Sequence, residues 1–370
     1  MKKNLYLDNN EHHRYLNFGE QPDLFYLQLG YEFVPLVDEK KGAPLLDKIT
    51  KYRKQFDEEY GLFLPPIRIV DNMSLKPSEY AILFNGIEVG RGDIPKGYCY
   101  CLDTGEVKTP LNCDSWIKTK DPAFEMEAFL LPKERIKEYR DAGYVCARSE
   151  QIISVHLYEI IRKFRTRIIN QNMVNSLLDK VCKINPDVIT DVFFTNKFDT
   201  SDMKLLLNSL LAEDVSIRDM NTILEAIADN IKDERNPIKL AEKVRERLAY
   251  SFISQYADEN KCVHVIRFSK SSSVFLAEKL YLPQDKNEIP YFAFQPKERR
   301  LFIEKICDGL STMNKKGLYP LFIIESPLRL ALFESLRFEM PGIRVISDRE
   351  MFFLDNKLSL EIEAEIKLDE

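Results

Sequence analysis

Cys262 and His264 are the residue pair best suited to covalent chemistry, since a thiol and an imidazole can act as nucleophile and general base. They alternate with apolar residues in a run ending at Phe268, which predicts a strand with both side chains on one face. Neighbours on a strand, however, do not supply the third group that orients the base. A cytosolic Cys/His enzyme is therefore an alternative and not the favoured function.

Cys99 and Cys101 are the second suggestive pair, because one intervening residue in a strand puts both thiols on the same face. A zinc site would need a second such pair or a nearby histidine. His12 and His13 likewise lack a third ligand at helical spacing. We therefore expect no metal and no cofactor, and we expect the seven cysteines to be reduced and packed as small hydrophobic groups.

Other catalytic and nucleic-acid signatures are missing from the sequence. It has no P-loop, no Gly-x-Ser-x-Gly and no glycine-rich dinucleotide turn, which predicts a protein that is not an enzyme. The net charge of −6 disfavours DNA or RNA as a partner. A nucleic-acid module using Arg162–Arg167 stays an alternative, although cations at a helix end complement the helix dipole.

The elements that would position these residues predict an α/β and α+β multidomain fold of four small subdomains. A helix over 43–60 ends at Gly61, and Asn85-Gly86 predicts a tight hairpin turn. Residues 170–257 carry successive helical patterns, and 321–347 is typical of a strand–helix–strand crossover. The strict alternation over 358–368 predicts a half-buried strand in an antiparallel or edge position.

Several segments occur together in an order that is similar to one known family. They are Gly30-Tyr31-Glu32-Phe33-Val34-Pro35-Leu36-Val37-Asp38, the stretch Arg68–Asp93, Asp121-Pro122-Ala123-Phe124, and Ser216-Ile217-Arg218-Asp219-Met220. From about Leu27 to Arg349 the chain resembles the cytoplasmic domain of the FlhA/SctV (FHIPEP) family. Those proteins are export-gate subunits of flagellar and virulence type III secretion systems. The flagellar branch is the closer one, and a virulence injectisome subunit is the alternative.

The resemblance implies a division of the chain into a linker and four subdomains. The linker is 1–26, the first α/β subdomain is 27–99 plus 149–168, and the inserted β-rich subdomain is 100–148. The helical subdomain is 169–248, and the C-terminal α/β subdomain is 249–370. It also implies the cytoplasmic domain of an inner-membrane protein, touching the membrane only through an absent N-terminal region. Nine such domains would form a ring through the linker and the C-terminal subdomain.

The resemblance further implies that export chaperones with bound substrates dock between the first two subdomains, and that other export apparatus proteins are also partners. Matching the family motif places Asp121 and Phe124 in this cleft. A third family position, normally threonine, is Val155 here, which removes a hydroxyl and predicts a more apolar groove. From the sequence alone, the opposite expectation for Phe124 is a ring packed inside the small subdomain.

Overall fold

A computed structural model describes residues 23–105, 107, 116–285, 288–340, 342–354 and 358–368. Nearly all of the predicted linker, 1–26, lies outside these ranges. Two compact units divide between Ile168 and Ile169. The mixed α/β and α+β class is confirmed, whereas the division into four subdomains stays a prediction. In the described ranges, no helix combines the length and the apolar character that crossing a bilayer requires.

The first unit contains eight strands and four α-helices among its described residues. The strands are β1 (Phe25–Leu29), β2 (Ile67–Asp71), β3 (Glu79–Phe84), β4 (Ile87–Asp93), β5 (Tyr98–Leu102), β6 (Ile117–Lys120), β7 (Glu127–Pro132) and β8 (Val145–Ala147). The helices are α1 (Pro44–Tyr60), α2 (Ile136–Asp141), α3 (Ser149–Lys163) and α4 (Arg165–Ile168). Short 3₁₀ turns occupy Tyr31–Leu36, Glu39–Lys41 and Lys133–Arg135.

The first sheet has the order β2-β1-β3-β4, in which β1 and β2 are parallel and the other neighbours are antiparallel. Helix α1 is the crossover between the parallel strands and ends, as predicted, at Gly61 with φ 73°. Asn85 and Gly86 join β3 to β4 with φ values of 50° and 78°. Two positive φ angles are what a type I′ turn requires, so the predicted hairpin is confirmed.

The second sheet, of order β6-β7-β5-β8, is antiparallel throughout. Its small core combines cysteines and aromatic rings: Cys99, Cys101, Leu131, Tyr139, Tyr144 and Cys146. Here the expectation of uniformly reduced cysteines is wrong, because Cys101 and Cys146 form a disulfide. They lie directly opposite each other on β5 and β8, a pairing that the sequence interval between them does not reveal.

The second unit begins with helices and ends with a parallel sheet. Its helices are α5 (Gln171–Cys182), α6 (Pro186–Ile189), α7 (Thr200–Ala212), α8 (Met220–Asn230), α9 (Pro237–Ile253), α10 (Lys270–Lys279), α11 (Pro296–Lys315), α12 (Ser326–Leu336) and α13 (Asp348–Phe352). A π-helical turn covers Thr190–Thr195, and a 3₁₀ turn covers Ser254–Tyr256. The strands are β9 (Cys262–Phe268), β10 (Leu280–Tyr281), β11 (Tyr291–Phe292), β12 (Leu321–Ile324), β13 (Arg344–Ser347) and β14 (Ser359–Ile366).

The four-stranded sheet of the second unit has the order β13-β12-β9-β14, and all of its neighbours are parallel. Strands β10 and β11 form a separate antiparallel pair. Strand β14 therefore takes the predicted edge position, but in parallel and not antiparallel orientation. A bulge between Ile362 and Ala364 breaks the expected alternation, leaving Ile362 exposed. Glu363 is the extra residue, and its side chain is almost entirely covered.

A network of buried charges joins the helices of the second unit to this sheet. Arg329 on α12 is fully buried and donates to Glu213 at 2.5 and 2.8 Å and to Glu242 at 2.5 Å. Arg245 on α9 also pairs with Glu213, at 3.2 Å, and donates to Glu350 at 2.7 Å. Each guanidinium thus lies between two carboxylates, which compensates the cost of removing these charges from water.

Candidate functional site

Asp121 and Phe124 lie together in the tight turn that joins β6 to β7. The Asp121 carboxylate accepts hydrogen bonds from the backbone N–H groups of Ala123 and Phe124, both at 2.9 Å. The Asp121 N–H donates to the carbonyl of Met126, and the Glu125 N–H donates to the carbonyl of Asp121, both at 2.8 Å. An aspartate that binds backbone N–H groups two and three residues later fixes a turn by itself.

The β6–β7 turn directs the Asp121 carboxylate inward and the Phe124 ring outward. Asp121 is only 4% exposed, whereas Phe124 is 53% exposed at the tip. The sequence-based alternative, a Phe124 ring packed inside the small sheet, is therefore wrong. Met126, which sequence reasoning did not single out, is also largely exposed and lies at the same tip. Met126 follows closely after the Asp-Pro-Ala-Phe segment. An apolar residue so close to a turn motif was the feature of the sequence that could have indicated its exposure.

Behind the turn, Tyr80 and His156 form a buried neutral pair. The Tyr80 hydroxyl lies 2.9 Å from His156 Nδ1. Burial lowers the pKa of His156 to about 4, although the Asp121 carboxylate acts in the opposite direction. Burial, with smaller effects from Tyr100 and Asp121, raises the pKa of Tyr80 well above its usual value. Both groups are therefore uncharged near neutral pH, and the pair can share one hydrogen bond without a buried net charge.

Two glycines in β4 allow this pair to pack against the first sheet. A Cβ atom on Gly90 would lie 2.4 Å from Ile160 Cδ1 and 2.8 Å from His156 Nε2. On Gly92 it would lie 2.5 Å from the Tyr80 ring. Both glycines lie inside the strand, and each makes room for one member of the Tyr80–His156 pair.

Val155 lies on α3, directly before His156, and is half-buried. Asp121 acts on the pKa of the neighbouring His156 only electrostatically, against the larger effect of burial. The structure thus brings Asp121 and Phe124 into one turn and sets Val155 next to the residue that contacts Tyr80.

The rival catalytic pair has partners that sequence reasoning missed. His264 Nδ1 lies 2.6 Å from Glu363, and Nε2 lies 3.5 Å from Asp258. The hydrogen bond to Glu363 is the main cause of a raised pKa for His264, which favours the imidazolium. Both ring nitrogens therefore face carboxylates, and neither is hydrogen-bonded to the Cys262 sulfur as the base of a nucleophile–base pair would be.

The basic segment proposed for nucleic acid is engaged within the first unit. Arg162 pairs with Glu159 at 3.3 Å and with Glu59 at 3.8 Å. Arg165 lies over the ring of Tyr60, and Arg167 lies over the ring of Phe164. These contacts favour a structural role for the arginines at the end of the long helix.

Comparisons with known proteins bear on the whole chain. The FHIPEP family model matches residues 8–353. The flagellar biosynthesis protein FlhA of Treponema pallidum is 33% identical over 327 residues, 88% of this chain and 45% of that protein. This chain therefore spans less than half the length of that relative.

Two solved structures share the fold. The Chlamydia pneumoniae CdsV protein superposes with a TM-score of 0.81 at 19% identity, covering 96% of this chain and all of that one. The nonameric EPEC SctV-C structure gives a TM-score of 0.75 at 17% identity, over 95% of this chain and all of that one. At such identities the likeness concerns the path of the chain and not its ligands.

Proposed function

The chain belongs to the FHIPEP family, and we propose that it is the cytoplasmic docking platform of a type III export gate. In this role it binds export chaperones with their bound substrates and passes the substrates to a membrane channel. Flagellar assembly is the favoured system, supported by the likeness to a flagellar biosynthesis protein. The chain would act by binding and not by catalysis, as the cytoplasmic part of an inner-membrane protein.

One observation carries the proposal: Phe124 is held exposed at the tip of a turn whose geometry is fixed from within by Asp121. An aromatic side chain on a backbone that is already fixed loses less conformational entropy on binding, which makes it an effective anchor. Met126 extends the apolar surface at the same tip. Such a surface fits the apolar face of an amphipathic helix from a chaperone.

The test is the affinity of the Phe124→Ala protein for a flagellar export chaperone loaded with its substrate. An anchor worth about 2 kcal/mol predicts a roughly 30-fold weaker Kd, measured by calorimetry. Phe194→Ala is the matched control, because this ring is 73% exposed in the second unit and should leave the affinity unchanged. Both variants should keep the parental Tm, since neither ring is buried.

Unchanged affinity in a folded Phe124→Ala protein would contradict the docking assignment. A parental protein that binds an injectisome chaperone more tightly than a flagellar one would move the assignment to the virulence branch. Turnover of a small molecule by the purified protein would contradict the non-catalytic role.

A ring of nine copies is part of the same proposal. The support is the fold shared with SctV-C, which was solved as a nonamer. The contacts would involve the linker and the C-terminal subdomain, and other export apparatus proteins would bind the assembled ring. Electron microscopy of the chain at rising concentration, beside a copy lacking residues 1–22, tests this. Equal ring formation by both would exclude a role for the linker.

A further inference from the structure

Three side chains with different donor atoms converge on one face of the sheet in the second unit. Cys262 and His264 are two residues apart on β9, and Glu361 on β14 lies directly opposite His264. The Cys262 sulfur, an imidazole nitrogen and a Glu361 oxygen all lie within 4.8 Å of one another. Thiolate, imidazole and carboxylate are the donors that zinc takes in proteins.

The imidazole is already oriented by further carboxylates. Its Nδ1 atom lies 2.6 Å from Glu363 and 3.8 Å from Glu361, and its Nε2 atom lies 3.5 Å from Asp258. Metal-binding histidines typically donate their other N–H group to a carboxylate, which fixes the tautomer and the ring plane. Whichever nitrogen of His264 binds a metal, the opposite one has such a partner.

Hydrogen bonds to the Asp258 carboxylate also fix the backbone that leads into β9. Asp258 accepts hydrogen bonds from the N–H groups of Asn260 and Cys262, both at 2.8 Å, which fixes the approach to β9. Glu363 also pairs with Lys316, just after α11. The bulge in β14 makes Glu363 the extra residue, so it contacts His264 while Glu361 keeps its own place opposite that ring.

We propose that Cys262, His264 and Glu361 bind one divalent transition-metal ion of the zinc type, with water as the fourth ligand. Zinc bonds of about 2.0–2.3 Å in a tetrahedron separate the donors by roughly 3.5 Å. The cluster must therefore contract by about 1 Å, and the Glu361 side chain, 63% exposed, has the freedom to rotate inward. One thiolate and one carboxylate neutralise the dication.

The metal would add a side-chain cross-link between two strands that already pair in parallel. Cys262 and His264 belong to β9, whereas Glu361 belongs to the edge strand β14. Because metal binding to the folded state alone stabilises it, occupancy should tighten this edge. This role is independent of the docking surface at Phe124.

The experiment is a titration of the full chain with Co²⁺ alone, in anaerobic buffer that leaves the Cys101–Cys146 disulfide intact, followed by competition with Zn²⁺. A cobalt–thiolate charge-transfer band that saturates at one Co²⁺ per chain, and is displaced by Zn²⁺, is the expected result. Cys262→Ser should abolish the band. Glu361→Gln, on an exposed side chain, should weaken the Co²⁺ Kd at least tenfold without changing the fold measured by circular dichroism.

Cys182→Ser and Cys307→Ser are the matched controls, because both thiols are free and exposed elsewhere in the second unit. Each should keep the parental band and Kd. The proposal is overturned if the parent shows no band, or if the band persists in Cys262→Ser. It is also overturned if Glu361→Gln, folded as the parent is, binds Co²⁺ with the parental Kd.

Discussion

Replacing Glu213 by glutamine removes one charge from the buried network of the second unit while keeping the shape of the side chain. Glu213 accepts two hydrogen bonds from Arg329 and pairs with Arg245, and all three residues are buried. The variant leaves two buried guanidinium groups with one carboxylate each, Glu242 and Glu350. Breaking a buried pair costs about 3–5 kcal/mol. Since each arginine keeps a partner, we expect about 3 kcal/mol, the lower end of that range.

The pH dependence of the loss identifies its cause. Burial alone would raise the pKa of Glu213, but Arg245 and Arg329 outweigh it and hold the pKa below its usual value. A carboxylate with a depressed folded pKa contributes stability that is present above the unfolded pKa, roughly 4.3, and is lost as the pH falls through the folded pKa. The difference between parent and variant should therefore be complete at pH 7 and shrink below about pH 4.

Calorimetry and urea unfolding provide the measurements. For a unit of this size, 1 kcal/mol corresponds to roughly 2–4 °C, so the transition of the second unit should fall by about 6–12 °C. Arg247→Gln is the control, since Arg247 and Asp229 form an exposed pair that should contribute at most about 1 kcal/mol. A Glu213→Gln cost below about 1 kcal/mol, or one independent of pH, refutes the reasoning.

Three further predictions concern other parts of the chain. Gly90→Ala should lower the free energy of unfolding by about 1–3 kcal/mol through steric overlap, measured by urea denaturation. Reducing the Cys101–Cys146 disulfide, which spans 45 residues, should cost up to about 4 kcal/mol of loop-closure entropy, whereas Cys146→Ser should show no response to reductant. Because Glu363 raises the pKa of His264, the stabilising contribution of His264 should be complete below roughly pH 6.5 and disappear as the pH rises through its folded pKa, as NMR titration beside His264→Gln would show.

Local patterns in the sequence were sufficient where neighbouring residues decide the backbone. Asn85-Gly86 specified its turn because both residues tolerate positive φ. Gly61 ended the first long helix for the same reason. The crossover from β12 to β13 followed from an apolar run, a helical pattern and a second apolar run.

Contacts between distant residues were not accessible in the same way. Glu213 and Arg329 are 116 positions apart, and nothing near either one marks it as buried. The parallel pairing of β14 with β9, and the bulge that covers Glu363, depend on which strand becomes the neighbour. Periodicity specifies faces but not partners, so β14 was predicted to lie in an antiparallel or edge position, and only the edge position agrees with the structure.

The candidate site combines features that the sequence predicts locally with features that depend on contacts between distant residues. The exposure of Phe124 did not follow from its hydrophobicity, which favoured a buried ring. Only the family resemblance predicted that the ring is exposed. The support from Asp121 is a local interaction, because an aspartate two and three residues before free N–H groups is typical of a turn. The neutral Tyr80–His156 pair behind it joins residues 76 positions apart and required the structure.

In the β6–β7 turn, the exposed side chain of Phe124 and the carboxylate of Asp121 that fixes the backbone are separate groups. All the hydrogen bonds that shape the turn involve backbone atoms or the Asp121 carboxylate, and none uses the ring of residue 124. A substitution at 124 therefore changes the exposed surface of the turn without changing its backbone hydrogen bonds. A substitution at 121 removes the hydrogen bonds to the Asp121 carboxylate, whichever residue is present at 124. Under the proposed docking role, selection for a different partner would accordingly act on position 124 alone, at little cost to folding.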